Sequence, residues 1–309
     1  MRKAICFDVG GTFIKHAVID EEGKVYDFGK TPTPKANIRS EIVLLIQSIA
    51  NKSKETHLIE GIGISSCGIV DKKNGRILVS ANIPDYSGFE IVREVENATD
   101  LSVLLENDVR AACLGERWKG IAKKSDHIVM ITLGTGIGSG IIANGKLVEG
   151  EHGLAGEFGH MIISINGEPC PCGMKGCYER YASTSAFISQ YCHAANIAPY
   201  PNKISGETIM ELVRKRDSIA VSVYEQYLEY VVTGLVNIAH SINPEIILIG
   251  GGISEQGEHF ISSIRSLFKK RAMKVYQDYT RIDIPSLGNL SGLAGAGYLV
   301  LSQDVMKGM

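Results

Sequence analysis

The chain has 309 residues, 44% hydrophobic and 21% charged, with a formal net charge of -2. This is ordinary globular composition, long enough for two domains and a large core, and the near-neutral charge argues against nonspecific nucleic-acid binding. No window approaches the about eighteen uninterrupted apolar residues that a span needs, and MRKAICFDVGG enters a glycine-rich turn instead of an apolar signal core, so no membrane association is expected and the cytoplasm is the expected location.

From Ala4 to Asp20 the chain reads AICFDVGGTFIKHAVID, two β-rich runs around a Gly-Gly-Thr corner, and a third strand is expected near Lys24 to Phe28. Apolar residues at Ile38, Ile42, Leu45, Ile46 and Ile49 keep nearly helical spacing and predict a helix over Asn37 to Ser53. LIEGIGISSCGIVD then reads as one strand leading through Asn74-Gly75 to RILVSAN as a hairpin. A helix near Phe89 to Glu96, the strand SVLLEN and a helix over Asp108 to Trp118 complete the half.

The plan begins again at HIVMITLGTGIGSGIIANGKLVEG, where Gly134-Thr135 to Gly145-Lys146 repeats the spacing of Gly11-Thr12 to Gly23-Lys24 to within one residue. An internal duplication is the expectation. Helices follow at about Thr184 to Asn196, Gly206 to Val213 and Ser218 to Ile242, the last with Val223, Tyr227, Val231, Leu235 and Ile238 on one face. The strand EIILIGG, a helix over Phe260 to Ala272, the strand RIDIPSL and a small-residue helix SGLAGAGYLVLS end the chain.

Between these halves, His160, Cys170, Cys172 and Cys177 lie within eighteen residues, with Gly167, Gly173, Gly176 and two prolines to turn the chain. Buried thiols and a core histidine would be the plain reading. Three thiols within eight residues of a turn-rich loop point instead to a structural zinc site of His and Cys ligands. The other cysteines, Cys6, Cys67, Cys113 and Cys192, are scattered, and an odd total of seven fits reduced thiols better than a disulfide frame. Glu157 and Glu179 bracket the loop as carboxylates that a completed zinc site does not need.

Three glycine turns follow apolar strands: Asp8 to Thr12, Leu133 to Gly136 and Gly250 to Ser254. Glycines at strand ends let backbone N–H groups approach an anion, although glycine is also the default residue of any tight corner. Their number points to a polyphosphate. A dinucleotide fingerprint fails because a strand follows Gly134 to Gly138 where a helix would be needed, and no GxxxxGK[ST] run occurs. Asp8 suits a hydrated magnesium ion or a turn-stabilising role. Asp108 stands where a strand meets a helix, as a catalytic carboxylate or as a simple N-cap.

Taken together, DVGGT (Asp8 to Thr12), ENDVRAA (Glu106 to Ala112), LGTGIGSG (Leu133 to Gly140), EFGH (Glu157 to His160), CPCGMKGCYE (Cys170 to Glu179) and IGGGIS (Ile249 to Ser254) resemble the ROK family of sugar kinases and repressors, within the actin-like ATPase superfamily. The resemblance implies an α/β, two-domain actin-like ATPase (ribonuclease H-like) fold with duplicated strand-meander halves and an interdomain cleft. Residues 1-115 with 291-309 would form the small domain and 116-290 the large one, carrying the zinc loop. It implies an ATP-dependent kinase moving the γ-phosphoryl group to a hydroxyl, taken as the 6-OH, of a hexose such as glucose or N-acetylmannosamine, or of a β-glucoside.

Carried over by motif, Asp108 is the general base, and Asn82, Asn107, Glu157, His160 and Glu179 hold the sugar with it. ATP and Mg2+ fall to Asp8, Gly10, Gly11, Thr12, Lys15, Gly134, Thr135, Gly136, Gly251 and Gly252. His160, Cys170, Cys172 and Cys177 hold a structural Zn2+, and a homodimer is the expected assembly. A sugar-sensing regulator of the same family is the alternative, but DVGGT begins within ten residues of Met1, which leaves no room for a helix-turn-helix. A polymerising or chaperone-type ATPase would not need EFGH and the zinc segment, and a zinc-ribbon nucleic-acid binder would need a basic stripe.

Overall fold

A computed structural model of the chain describes residues 1–198 and 204–302; residues 303–309 of the expected small-domain segment lie outside the described residues. The first half runs β1 (Lys3–Val9), β2 (Phe13–Asp20), β3 (Val25–Pro32), α1 (Ile38–Thr56), β4 (Ile59–Ser66), β5 (Ile69–Asp71), β6 (Arg76–Val79), α2 (Ile91–Thr99), β7 (Val103–Asn107) and α3 (Asp108–Trp118). The second runs β8 (Ile128–Leu133), β9 (Ile137–Ala143), β10 (Lys146–Leu147), α4 (Glu179–Ala182), α5 (Thr184–Ala194), α6 (Gly206–Arg214), α7 (Ser218–Ile242), β11 (Ile246–Gly250), α8 (Glu258–Arg271), α9 (Lys274–Gln277), β12 (Arg281–Asp283) and α10 (Ser291–Leu301).

Two five-stranded sheets share one plan, β3-β2-β1-β4-β7 and β10-β9-β8-β11-β12. In each, an antiparallel meander supplies three strands and parallel pairing adds two more. The duplication read from two glycine turns is therefore a duplication of topology. The chain divides into two compact units, one of Met1–Lys124, Leu147–Ala155 and the stretch from Ser286, the other of Ser125–Lys146 and Gly156–Pro285. Helix α3 runs unbroken across the 115/116 boundary expected from sequence.

One expected strand is broken in two. Gly68 takes φ +99°, and a Cβ there would stand 2.5 Å from the Val79 carbonyl, so β4 ends at Ser66 in the large sheet and β5 pairs only with β6. The 3-10 turns at Phe158–His160 and Gly252–Gln256 have no periodicity to announce them.

Alternation in β1 decides the first core. Ile5, Phe7 and Val9 face a cluster containing Ile42 and Ile46 of α1, while Ala4 and Cys6 face Leu293 and Ala296 of α10. The small residues of α10 serve close packing. A Cβ on Gly295 would stand 1.7 Å from the Ala111 carbonyl, and one on Gly63 2.1 Å from that of Ala296. In the second unit the expected face of α7 (Val223, Tyr227, Val231, Leu235 and Ile238) is buried as its spacing demands.

Glu116, fully buried in α3, accepts hydrogen bonds from Ile121 N, Ser286 N and Oγ, Leu287 N and Ser291 Oγ. Its carboxylate thereby fixes the loop that leads into α10. Glu116→Ala strands these donors without an acceptor and is expected to destabilise the fold by at least about 3 kcal/mol, since each unsatisfied buried group costs about 1 to 3. Thermal unfolding checks this; an unchanged midpoint would show that water replaces the carboxylate without loss.

Candidate active site

Parallel pairing brings three strand ends into line in the first unit. Asp8 of β1 is in register with Ser65 of β4, and Ser65 with Glu106 of β7, so their carboxyl ends open at the same edge, where α/β sheets take ligands. Asp8 Oδ1 accepts from Ser65 Oγ at 3.1 Å, and Oδ2 lies 3.3 Å from Nζ of Lys15, its cross-strand partner in β2. Lys15 Nζ also reaches Asn289 Oδ1 at 3.2 Å. The Asp8 carboxylate at this edge suits Mg2+, which keeps several waters and takes its remaining ligands from phosphates.

Asn107, not Asp108, caps helix α3. Its Oδ1 accepts from Val109 N (3.0 Å) and Arg110 N (3.2 Å), and its Nδ2 donates to the Gly68 carbonyl (3.0 Å) and to Asp108 Oδ1 (2.9 Å). Both lone pairs and both amide protons are engaged, and one of those protons orients the neighbouring carboxylate. Asp108 is the first residue of α3 and only partly exposed. Burial pushes its carboxyl up to about 7; the Asp8 charge adds to this, and the Val109 N–H and Asn107 amide offset it only in part.

The first glycine turn is closed by Gly10 N donating to Phe13 O and by Thr33 Oγ1 donating to Gly10 O at 2.6 Å. A Cβ on Gly11 would stand 2.9 Å from the Asn82 carbonyl, so this turn and the expected sugar residue Asn82 are neighbours. Gly11, Thr12 and Asn82 are exposed.

In the second unit, Thr184 at the start of α5 holds the next turn, its N donating to Gly134 O (2.9 Å) and its Oγ1 to Leu133 O (2.8 Å). Gly251 takes φ +94° and would place a Cβ 2.3 Å from Leu133 O, so the second and third turns abut and the fold itself demands this glycine. Gly134 and Gly252 differ: nothing lies within 4 Å of a Cβ there and neither has a positive φ, which leaves the space to a ligand. Thr135 is exposed at the same tip. Gly136 makes room for Glu179, whose Oε2 would be 2.6 Å from its Cβ and accepts from Ile137 N at 3.4 Å.

The ligand atoms of His160, Cys170, Cys172 and Cys177 all lie within 4.8 Å of one another, the one such cluster found among the described residues. Cys172 Sγ and Cys177 Sγ are 3.6 Å apart and Cys170 Sγ is 3.7 Å from His160 Nδ1. Ligands about 2.3 Å from a tetrahedral zinc stand about 3.8 Å apart, so the cluster fits that ion and closes it with four protein donors. His160 turns Nδ1 to the cluster, which leaves Nε2 for another partner, and His160 and Glu157 are exposed. Glu179 Oε1 lies 3.4 Å from Cys170 Sγ, while its Oε2 reaches the Gly134–Gly136 turn through Ile137 N.

The loop is anchored from below. Tyr178 is fully buried, donates to the Val231 carbonyl at 2.8 Å, and fits against α7 because residue 234 is glycine. Ser139 of β9 holds the EFGH segment through the Gly156 carbonyl and Phe158 N. Sequence reading passed over Ser65, Thr184 and Ser139, whose only local signal is a hydroxyl near a strand or helix end. It also passed over Arg110, which donates to the Val148 and Gly153 carbonyls, and Lys72, which lies 3.4 Å from Glu106 and 2.5 Å from Glu149.

The ROK family profile matches residues 4 to 303. A glucokinase of Halalkalibacterium halodurans is 32% identical over 96% of this chain and 94% of its own length. A ROK family glucokinase from Streptomyces griseus, solved in complex with glucose and AMPPNP, superposes with a TM-score of 0.82 at 34% identity, covering 96% of this chain and 98% of that one. The xylose repressor of Bacillus subtilis is 27% identical over 96% of this chain and 77% of its own length. The two sheets are those of the two-domain actin-like ATPase fold, and the chain belongs to the ROK family.

Proposed function

We propose that this chain is an ATP-dependent sugar kinase that transfers the γ-phosphoryl group to a hydroxyl, taken as the 6-OH, of a hexose such as glucose or N-acetylmannosamine, or of a β-glucoside. The observation that carries the reading is Asp108, a carboxylate with a raised pKa, oriented by Asn107 beside Asp8 at the open edge of a parallel sheet. Likeness to a glucokinase solved with glucose and AMPPNP supports it.

Phosphoryl transfer passes through a loose transition state in which the attacking hydroxyl loses its proton late, so a weak base in hydrogen-bond reach suffices. Asp108 takes that proton, and a pKa near 7 makes it a better acceptor than an ordinary carboxylate while leaving it ionised above neutrality. Asn82, Glu157, His160 Nε2 and Glu179 hold the other sugar hydroxyls, with Asn107 acting through Asp108. Backbone N–H groups at Gly11 and Gly252 receive the phosphates, with Gly10, Gly134, Thr12, Lys15 and Thr135 beside them. Magnesium held at Asp8 would supply charge neutralisation on the phosphates. A zinc held by His160, Cys170, Cys172 and Cys177 would shape the loop of Glu157, His160 and Glu179.

Likeness to a xylose repressor favours a second reading, a sugar-sensing regulator. Sensing needs no proton acceptor poised near neutrality, which ranks it below the kinase. A coupled assay of ADP release over a panel of hexoses and disaccharides, paired with sugar titration by calorimetry, separates the two. Sugar-dependent ADP release matched by sugar phosphate supports the kinase, whereas sugar binding with no ADP release under any condition would establish the sensor.

A further inference from the structure

The loop that leads into α10 arrives at the Asp8 end of the first sheet, within the same compact unit. A Cβ on Gly292, in the first turn of α10, would stand 3.1 Å from Ser65 Oγ and 3.3 Å from Asp8 Oδ1, so the helix starts directly against that carboxylate. Asn289 stands just before it, exposed, in a 3-10 turn over Gly288–Leu290. Its backbone is pinned on both sides by buried Glu116, whose Oε1 accepts from Leu287 N and from Ser291 Oγ, each at 2.8 Å. The turn therefore presents Asn289 from a fixed frame.

That side chain meets Lys15. Asn289 Oδ1 is 3.2 Å from Lys15 Nζ, and the same ammonium lies 3.3 Å from Asp8 Oδ2. An ammonium only donates, so the amide must turn its oxygen and not its nitrogen toward it. Asp8 Oδ1 is already taken by Ser65 Oγ, so both oxygens of this carboxylate are engaged by the chain itself. A cation drawing on Asp8 has to compete with Lys15 for Oδ2, and an ammonium left in place would repel it. The neutral oxygen of Asn289 offers Lys15 a second acceptor at nearly the same distance.

We propose that Asn289 is a positioning residue that takes over Lys15 when Asp8 is given up to magnesium, keeping the ammonium beside the phosphates without letting it block the metal; the inference rests on the kinase reading above. No carboxylate other than Asp8 is within bonding distance of Lys15 among the described residues, so without Asn289 the ammonium has only Asp8 to hold.

The test measures binding of AMPPNP by calorimetry, in EDTA and in saturating MgCl2, and takes the ratio of the two affinities for the wild type, Asn289→Ala, Lys15→Met and the double variant. Asn289→Ala is expected to lower this magnesium enhancement by about fivefold or more, because Lys15 then stays on Asp8. Removing the ammonium as well should undo the loss, so the double variant is expected to return to within about twofold of Lys15→Met, a reversal that no loss of fold would give. Sugar titration of each variant reports that it is folded, since Asn289 touches no residue assigned to sugar. An unchanged enhancement in Asn289→Ala would overturn the inference and leave the kinase reading standing. A loss that persists in the double variant would also overturn it, because Asn289 would then act on the metal or the loop without Lys15. If the wild type binds no AMPPNP under either condition, the kinase reading falls and the inference with it.

Discussion

Replacing Asp108 by asparagine is expected to lower kcat by about two to four orders of magnitude, the usual cost of losing a general base, while KM for sugar and for ATP changes little. The side chain keeps its shape and its hydrogen-bond partners, so binding survives and proton acceptance does not. In the wild type, kcat/KM should fall as pH drops below about 7, because the folded carboxyl is protonated there and cannot act as base. The same shift has a stability counterpart. Its folded pKa of about 7 exceeds the ordinary 3.8, so the folded state holds a proton that the unfolded chain releases, and stability falls as pH rises between those values. Asp108→Asn should accordingly melt above the wild type at pH 8, with the gap narrowing toward pH 5. Near-normal kcat in the variant would remove Asp108 from the role of base, a rise in KM alone would make it a binding residue, and a melting gap independent of pH would contradict the buried charge.

Cys172→Ser is expected to lose about one equivalent of zinc per chain and with it sugar affinity, by about tenfold or more. An ion at this cluster would crosslink four side chains of the loop, and Glu179 follows its last ligand, Cys177, by two residues. Without the crosslink Glu157, His160 and Glu179 lose their common frame. An ATP analogue should still bind within about threefold, because Thr184 and Gly251 hold the glycine turns independently of the cysteines. Metal analysis alongside separate titrations of sugar and nucleotide reads both effects. Active protein containing no zinc, or a variant with unaltered sugar affinity, would reduce the cysteines to loop packing.

Much of the fold was legible because it is local. The spacing of Ile38, Ile42 and Ile46 places α1, and the apolar stripe from Val223 to Ile238 places α7, since burial follows the 3.6-residue period. The broken strand at Gly68 was not legible. Its β-branched residues suit a strand on either side, and only the competing partners, β7 for β4 and β6 for β5, separate them. The His-Cys cluster was legible for a chemical reason, because three thiols and an imidazole in one turn-rich stretch have few uses besides holding a metal.

The sequence by itself determined the family, the class of fold, the His-Cys cluster and the candidate carboxylates, because these depend on residue types at short spacing. Tertiary structure decided how those residues divide the work. Asp108 could be an N-cap or a catalytic carboxylate until the partners of each side-chain oxygen are known; Asn107 takes the cap, bonded to the helix amides and to Gly68, and Asp108 keeps a carboxyl with a raised pKa. Four glycines looked alike in sequence, yet Gly251 is demanded by the Leu133 carbonyl and Gly136 lies against the movable end of Glu179, while Gly134 and Gly252 face open space. Lys15 meets Asp8 only because β1 and β2 pair in one register. Such distinctions rest on hydrogen bonds and close approaches between residues tens of positions apart, and these exist only once sheet registers and helix packing have brought the backbone segments together.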